Sequence, residues 1–399
     1  QMINKFPKSF LWGSATSGYQ IEGDSFFSDW YEMLDKNQAN DLCGKAVNFW
    51  QDYKTYIALM KEAKFNAFRM SIEWSRINPQ ENNYSQKAIN RYKEIIYSLK
   101  ENGIEPIITL WHFALPHWFS QKGGFLNKNA NDYFLTYVEK VKAEFNDLIN
   151  YYLVFNEPTV YLLKGYLSGS WPPFHKNQLL PFLKIRRKLA KIYLDSYDIL
   201  KDKNTQISIA ANLSFDEMKN KFNPLNYLTY LILEQNSDLN ILNKIRNKLD
   251  FIGLNYYFRQ LIDINIFNLK ESLTRQEKNK KYSDLGWEIY PEGIYKLTTK
   301  LYKKFQKPIL ITENGIADKN DSLRSEFLKE HIEYLFKAYQ EGIPILGYLH
   351  WSLMDNCEWD KGKEPRFGLI EADYQNKIIK PRESFYFYKK LIESYTSKI

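Results

Sequence analysis

The stretch Lys307-Pro-Ile-Leu-Ile-Thr-Glu-Asn-Gly315 decides the fold. Pro308 leads into the apolar run Ile309-Leu310-Ile311, which reads as a strand buried in a parallel sheet. The run stops at the charged Glu313, and Asn314-Gly315 turns the chain. A carboxylate at the carboxyl end of a buried strand faces the crevice in which open α/β sheets and barrels keep their chemistry. Taken alone, a Glu ahead of Asn-Gly is equally well explained as an acceptor of turn hydrogen bonds. A second segment of the same design shifts that balance. Tyr151-Tyr-Leu-Val-Phe-Asn-Glu-Pro158 is also an apolar strand ending in a carboxylate, Glu157. Two such carboxylates on two strands of one barrel suggest a catalytic pair.

Working outward, short apolar strands alternate with amphipathic helical stretches from end to end. Eight strands are expected, at Phe10–Ala15, Ala67–Ile72, Pro106–Trp111, Tyr151–Asn156, Ile207–Asn212, Phe251–Tyr256, Ile309–Thr312 and Ile345–His350. Helical patterns fall between them at Phe49–Lys64, Gln86–Asn102, Asn131–Asn146, Leu179–Lys201, Pro291–Phe305 and Leu323–Glu341. Gly103 and Gly342 follow their helices in the C-terminal stop position. Alternating β and α units imply a parallel sheet, and eight of them in 399 residues fit a closed (β/α)8 barrel, the TIM barrel, better than a doubly wound sheet. No linker, low-complexity stretch or short-period repeat divides the chain, so residues 1–399 read as a single barrel domain.

The polar residues at the strand ends form a set. Gln20 follows the first strand, Arg69 lies in the second, and His112 ends the third. Asn156 and Glu157 end the fourth, Asn255 and Tyr257 the sixth, Glu313 the seventh and Trp351 the eighth, followed by Glu358-Trp359 and Arg366-Phe367-Gly368. His112 alone would be a satisfied core histidine and Arg69 a structural ion-pair partner. One barrel end receiving this many amide, imidazole, carboxylate and indole groups points to a sugar, because amides and carboxylates hydrogen-bond hydroxyls and indoles stack on pyranose faces.

Hydrophobic residues make up 44% and charged residues 26%, an ordinary globular balance. Aromatics reach 17%; most are core payload, and some suit a sugar cleft. The net charge of +8 is carried partly by Lys184-Ile-Arg-Arg-Lys188 and Lys278-Asn-Lys-Lys281, which sit in amphipathic or loop sequence without a nucleic-acid motif and read as solvated faces. Neither nucleic acid nor membrane insertion is expected: no run of 18 apolar residues occurs. Cys43 and Cys357 lie far apart with no metal-type spacing, so a disulfide is not expected. The chain shows no apolar leader after Gln1, the native start is expected at Met2, and these points favour a cytoplasmic protein. The 5 histidines show no ligand spacing, so neither a metal nor a cofactor is expected. The sequence leaves the oligomeric state open.

These residues resemble glycoside hydrolase family 1, the β-glucosidase and β-galactosidase group. The matching segments are Phe10-Leu-Trp-Gly-Ser-Ala-Thr-Ser-Gly-Tyr-Gln20, Phe68-Arg-Met-Ser-Ile-Glu-Trp-Ser-Arg76, Phe155-Asn-Glu-Pro158, Asp250-Phe-Ile-Gly-Leu-Asn-Tyr-Tyr257, Gly286-Trp-Glu-Ile-Tyr-Pro-Glu-Gly293, Ile311-Thr-Glu-Asn-Gly315 and Trp351-Ser-Leu-Met-Asp-Asn-Cys-Glu-Trp359. Tyr166-Leu-Ser-Gly-Ser-Trp-Pro-Pro-Phe174 and His112-Phe-Ala-Leu-Pro look most like the shorter archaeal-type β-glucosidases. The resemblance implies a retaining exo-β-glycosidase, a β-glucosidase with β-galactosidase and β-fucosidase activity, acting on small β-glycosides or oligosaccharides. It implies Glu313 as nucleophile and Glu157 as acid/base, with Arg69 and the Tyr257 hydroxyl favouring ionised Glu313 and Asn156 on the 2-hydroxyl. Gln20, His112, Asn156, Asn255, Glu358, Trp359 and Phe367 would bind substrate, Trp351 would stack beneath the sugar, and Trp171 and Trp287 would line the aglycone side.

Three departures from the family pattern stand out. Phe113 replaces the Trp common beside the histidine, Glu73 stands where many members have a small residue, and the stretch from Asn212 to Asp250 is shorter, which implies a more open aglycone side. A 6-phospho-β-glycosidase is the nearest rival. A carboxylate at Glu358 would repel phosphate, whereas Lys361 and Lys363 close by would attract it. A non-catalytic sugar-binding barrel is the rival from another class, although such relatives usually lack one of the glutamates.

Overall fold

The computed structural model describes residues 5–32, 43–265, 276–374 and 378–396. Among these, twelve strands follow one another: β1 (Leu11–Ala15), β2 (Ala67–Ser71), β3 (Glu105–Trp111), β4 (Tyr151–Asn156), β5 (Gln206–Asn212), β6 (Phe215–Met218), β7 (Ile252–Asn255), β8 (Arg259–Ile262), β9 (Ile309–Asn314), β10 (Ile345–Trp351), β11 (Ile370–Asp373) and β12 (Ile378–Pro381). Eight of them close a barrel in the order β1-β10-β9-β7-β5-β4-β3-β2, every described pairing parallel. These are the eight strands expected from the apolar runs. The six helices expected between them also form, each within two residues of its anticipated ends.

Alternation along each strand separates two apolar layers. Ala67, Ile107, Leu153, Ala210, Leu310 and Leu349 point inward and fill the barrel, while Phe68, Ile108, Tyr152, Val154, Ile309 and Ile311 point outward beneath the helices. Near their C-terminal ends, β4 and β9 break this alternation. Between Leu153 and Asn156, β4 spends three steps where β5 spends two, from Ser208 to Ala210. Between Ile311 and Glu313, β9 spends two steps where β7 spends one. Each bulge inserts one residue and re-aims the next, the usual office of a bulge beside a site. Thr312 and Glu313 thereby both reach the barrel interior from consecutive positions. Glu157 follows the end of β4 and Glu313 lies in β9, and β10 shifts register against β9 as well.

Asn314 then ties β9 to both neighbours. Its Nδ2 donates to Tyr256 O at 2.7 Å and its Oδ1 accepts from the Tyr348 hydroxyl at 2.7 Å. Gly315 is required by close approach rather than by a turn: a Cβ there would lie 1.8 Å from the carbonyl oxygen of Trp351. Gly315→Ala is therefore expected to displace Trp351 and to destabilise the fold by about 1–3 kcal/mol, read as an earlier midpoint in urea unfolding.

The expectation of unpaired cysteines is corrected. Cys43 and Cys357 form a disulfide across 314 positions of sequence, with Cα atoms 5.3 Å apart. The reason is barrel closure: β1 pairs with β10, so the segments following the first and last barrel strands become neighbours. Disulfides persist in oxidising compartments, so the pairing removes one ground for the cytoplasmic expectation. No helix among the described residues is long and apolar enough to cross a membrane.

The stretch after Asn212 carries regular structure. It holds β6, which pairs with β8, the helix Pro224–Gln235 and the helix Leu239–Ile245.

Candidate active site

The C-terminal ends of the barrel strands open into a cavity of about 470 Å³. His112, Asn156, Glu157, Trp171, Tyr257, Trp287, Glu313, Trp351, Glu358, Trp359 and Phe367, all anticipated from sequence, line it. Arg69, Gln20 and Asn255 do not line it; each is fully buried one layer behind the wall.

Arg69 is the hub of that second layer. Its Nη1 donates to Glu313 Oε1 at 2.5 Å and to Thr312 O at 3.2 Å, its Nη2 to Asn156 Oδ1 at 2.7 Å, and its Nε to Thr109 Oγ1 at 3.0 Å. The other oxygen of Glu313 accepts from the Tyr257 hydroxyl at 2.5 Å. Burial raises the Glu313 pKa, and the Arg69 charge and the Tyr257 hydrogen bond offset part of that rise, leaving it above the usual carboxylate value. Both partners expected to favour its ionised form are thus in contact with it.

Glu157 sits in the left-handed region at φ 42°, ψ 56°, immediately before Pro158 opens a short helix. Such a backbone is uncommon for a residue with a Cβ and marks a position held by its surroundings. Its N–H donates to Ala210 O at 2.8 Å, and Asn255 Nδ2 donates to its Oε1 at 2.7 Å. Asp238, which the sequence reading passed over, braces this turn by accepting from the Thr159 and Asn212 backbone N–H groups at 2.8 Å each. Burial first, and the negative charge of Glu313 second, hold the Glu157 carboxyl well above its ordinary value. One buried carboxyl is thus held by a guanidinium and the other is pushed towards its protonated form. That asymmetry is what a nucleophile and a general acid require.

The amide of Asn156 fixes the tautomer of His112. Asn156 Oδ1 accepts from Arg69 and from Asn255 Nδ2 at 3.1 Å, so its Nδ2 donates to His112 Nε2 at 3.0 Å. The imidazole proton then belongs on Nδ1, a buried atom with no protein partner. A donor left in that state suits a substrate hydroxyl. Burial, helped by the Arg69 charge, holds His112 neutral, well below its ordinary pKa. The imidazole neighbours both Trp351 and Trp359, with ring centroids 5.9 Å away in each pairing.

Gln20 spends its amide on protein atoms: Ser17 Oγ donates to its Oε1 at 2.6 Å, and its Nε2 donates to Cys357 O at 2.8 Å and Asn356 Oδ1 at 3.1 Å. Its contact with Glu358 Oε2 is longer, at 3.5 Å. Glu358 keeps a partly exposed edge, and loss of water together with the charges of Glu313 and Asp360 pushes its carboxyl up to about 8. The repulsion of phosphate expected of Glu358 depends on its charged form, which these surroundings disfavour. Lys361 lines the cavity, whereas Lys363 lies over the ring of Tyr374. Trp171 leans on Phe113 and Trp359, at 4.9 and 5.6 Å between centroids, with its Nε1 donating to Asp360 at 2.8 Å. Trp287 packs on Phe258 and Tyr257 across the cavity. Glu73 stays out of the site, buried and accepting from Ser75 Oγ at 2.9 Å.

A closed parallel barrel with two unequal buried glutamates and a wall of amides and indoles belongs to the class of barrel glycosidases. Comparison with known proteins agrees. The profile of glycosyl hydrolase family 1 matches residues 2–226 and 228–396. Beta-glucosidase A of Acetivibrio thermocellus is 32% identical, over 98% of this chain and 98% of its own. A galactolipid galactosyltransferase of Arabidopsis thaliana is 30% identical, over 87% of this chain and 58% of its own. The beta-glycosidase from Pyrococcus horikoshii superposes with a TM-score of 0.90 at 34% identity, covering 100% of this chain and 99% of the other. The chain belongs to glycosyl hydrolase family 1, and it is a glycoside hydrolase.

Proposed function

We propose that the protein is a retaining, exo-acting β-glycosidase that hydrolyses small neutral β-glycosides, β-glucosides first and β-galactosides and β-fucosides with them. The observation that carries this reading is the unequal treatment of the two glutamates, Glu313 gripped by Arg69 and Tyr257 and Glu157 held high by burial and by Glu313. In the first step a Glu313 oxygen attacks the anomeric carbon while Glu157 gives its proton to the glycosidic oxygen. The aglycone leaves as an alcohol and the sugar becomes an ester of Glu313. That ester removes the charge that raised Glu157, which then accepts a proton from water as the water attacks the same carbon. Two displacements return the sugar with its β configuration.

The neutral His112 Nδ1–H, Asn156, Glu358 and the indoles of Trp351 and Trp359 form the sugar end of the cavity. Following the anomer first released from a β-glucoside by proton NMR tests the stereochemical claim: β-glucose supports it, and α-glucose refutes it. Arg69→Met is expected to lower kcat/KM by about 10²–10³-fold, the usual effect of losing one donor that stabilises charge. Because Arg69 lowers the Glu313 pKa, its removal raises that pKa, and the acidic limb of the pH–kcat/KM profile moves to higher pH.

A 6-phospho-β-glycosidase is the second reading, favoured by Lys361 and Lys164 at the cavity and by surroundings that disfavour the charge of Glu358. Turnover of the 6-phosphoglucoside well above that of the glucoside would establish it.

A further inference from the structure

The helix Pro224–Gln235 turns its apolar residues to water. Only Asn226 is buried along it, and that amide is spent on the backbone: its Nδ2 donates to Asn220 O at 3.1 Å and its Oδ1 accepts from the Ile264 N–H at 2.8 Å. The polar residue is thus the anchor and the apolar residues are the surface. Leu225, Leu228 and Ile232 follow one another at helical spacing with Tyr227 and Leu231 beside them, between 37 and 54% exposed. Phe222, just ahead of the helix, is 96% exposed. A contiguous patch of this kind marks an interaction site, whereas scattered exposed apolar residues do not.

The border of the patch is basic. At the C-terminal end of the helix, Arg186 Nη1 donates to Gln235 O at 2.8 Å and to Asn236 Oδ1 at 3.2 Å, which fastens the long helix Leu179–Leu200 against it. The run Lys184-Ile-Arg-Arg-Lys188 therefore lies at the edge of the patch. Lys244 sits in the field of Arg186 and Arg187, and Lys188 in that of Lys184; burial first and these like charges second lower both lysine pKa values. Lys184, Arg187 and Lys244 are exposed, and among the described residues no carboxylate pairs with them. Two acids of the same region are already matched, Glu234 by Lys300 at 2.7 Å and Asp263 by Lys219 at 3.0 Å. Charge selects the occupant. A second copy seated on this face would bring the same unmatched cations against it, and like charges repel. A bilayer with anionic headgroups satisfies both halves: the apolar side chains enter the headgroup–acyl boundary, and the cations stay among the headgroups. Tyr227 suits that depth, with an apolar ring and a wet hydroxyl.

We propose that the helix Pro224–Gln235 and the basic run beside it dock the protein on an anionic membrane surface, as a peripheral contact that spans nothing. The 184–188 run, read from sequence as a solvated face, then becomes the charged edge of that contact. The test is co-sedimentation with vesicles of phosphatidylcholine alone and of phosphatidylcholine with about one-third phosphatidylglycerol. Binding to the anionic vesicles is expected to be about tenfold tighter or more, and to weaken as salt rises. Leu228→Asp combined with Ile232→Asp is expected to weaken it about tenfold or more. Lys184→Glu combined with Arg187→Glu is expected to do the same through charge. All four side chains face water, so the urea unfolding midpoint is expected to stay where it is in both variants, which separates lost docking from lost folding. Equal binding to the two kinds of vesicle, or none to either, overturns the proposal. Anionic binding that survives Leu228→Asp with Ile232→Asp also overturns it, because that is the response of net charge without the helix. A dimer in light scattering that the same pair of substitutions dissociates, with no vesicle binding, overturns it in favour of a second copy. None of these readings depends on hydrolysis.

Discussion

Glu313→Gly is expected to lower kcat on p-nitrophenyl β-glucoside by about 10⁵-fold or more, the scale of loss when the nucleophile of a covalent mechanism is removed. The effect is large because nothing nearby replaces it. Glu157 is held protonated by its burial, and Tyr257 and Arg69 are donors with no nucleophilic oxygen at the anomeric carbon. The deletion also leaves a space beside a guanidinium that held a carboxylate. A small anion fills such a space, so azide is expected to restore turnover and to give the α-glycosyl azide by a single inversion. The product's configuration is read by NMR. Recovery of the β-azide from this variant would mean that Glu313 is not the attacking group.

Glu157→Ala has an effect that depends on the leaving group. With an alkyl glucoside, whose alkoxide cannot leave without a proton, kcat is expected to fall by about 10³–10⁴-fold, the upper part of what general acid catalysis supplies. With p-nitrophenol as leaving group the first step needs little help, and the loss falls on the second step. The ester of Glu313 then accumulates, and KM drops together with kcat. Azide attacks that ester without a general base and is expected to yield the β-azide. The alkaline limb of the pH profile reports loss of the Glu157 proton, so it is expected to disappear in the variant. Equal losses on both substrates would place the acid elsewhere.

Much of this protein is legible in its sequence, for identifiable physical reasons. Strands buried on both faces read as short apolar runs, and a charge ending such a run is conspicuous, which is why Glu157 and Glu313 stand out. What escapes is whatever depends on closure or on two or more distant segments. Cys43 and Cys357 look remote until β1 and β10 are paired. The bulges that bring Thr312 and Glu313 inward together have no signature in composition. Asp238, the brace of the Glu157 turn, lies 81 positions after that glutamate in a segment whose family pattern is incomplete. The helix Pro224–Gln235 escapes for another reason: Asn226 is its one fully buried residue, while apolar residues stand exposed along it, so no clean polar face announces it. The burial that raises the Glu358 pKa is likewise a property of packing, not of residue type.

In the proposed mechanism catalysis passes through a covalent bond to Glu313. The most direct measurement is to inactivate the protein with 2,4-dinitrophenyl 2-deoxy-2-fluoro-β-glucoside, whose fluorine slows both steps while its leaving group keeps the first one fast, and to map the labelled peptide by mass spectrometry. One fluorosugar per chain is expected, on Glu313 within Pro308–Gly315, with release of the label when a competing acceptor is added. Steady turnover of the nitrophenyl glucoside with no labelled protein, or a label on Glu157, would contradict it.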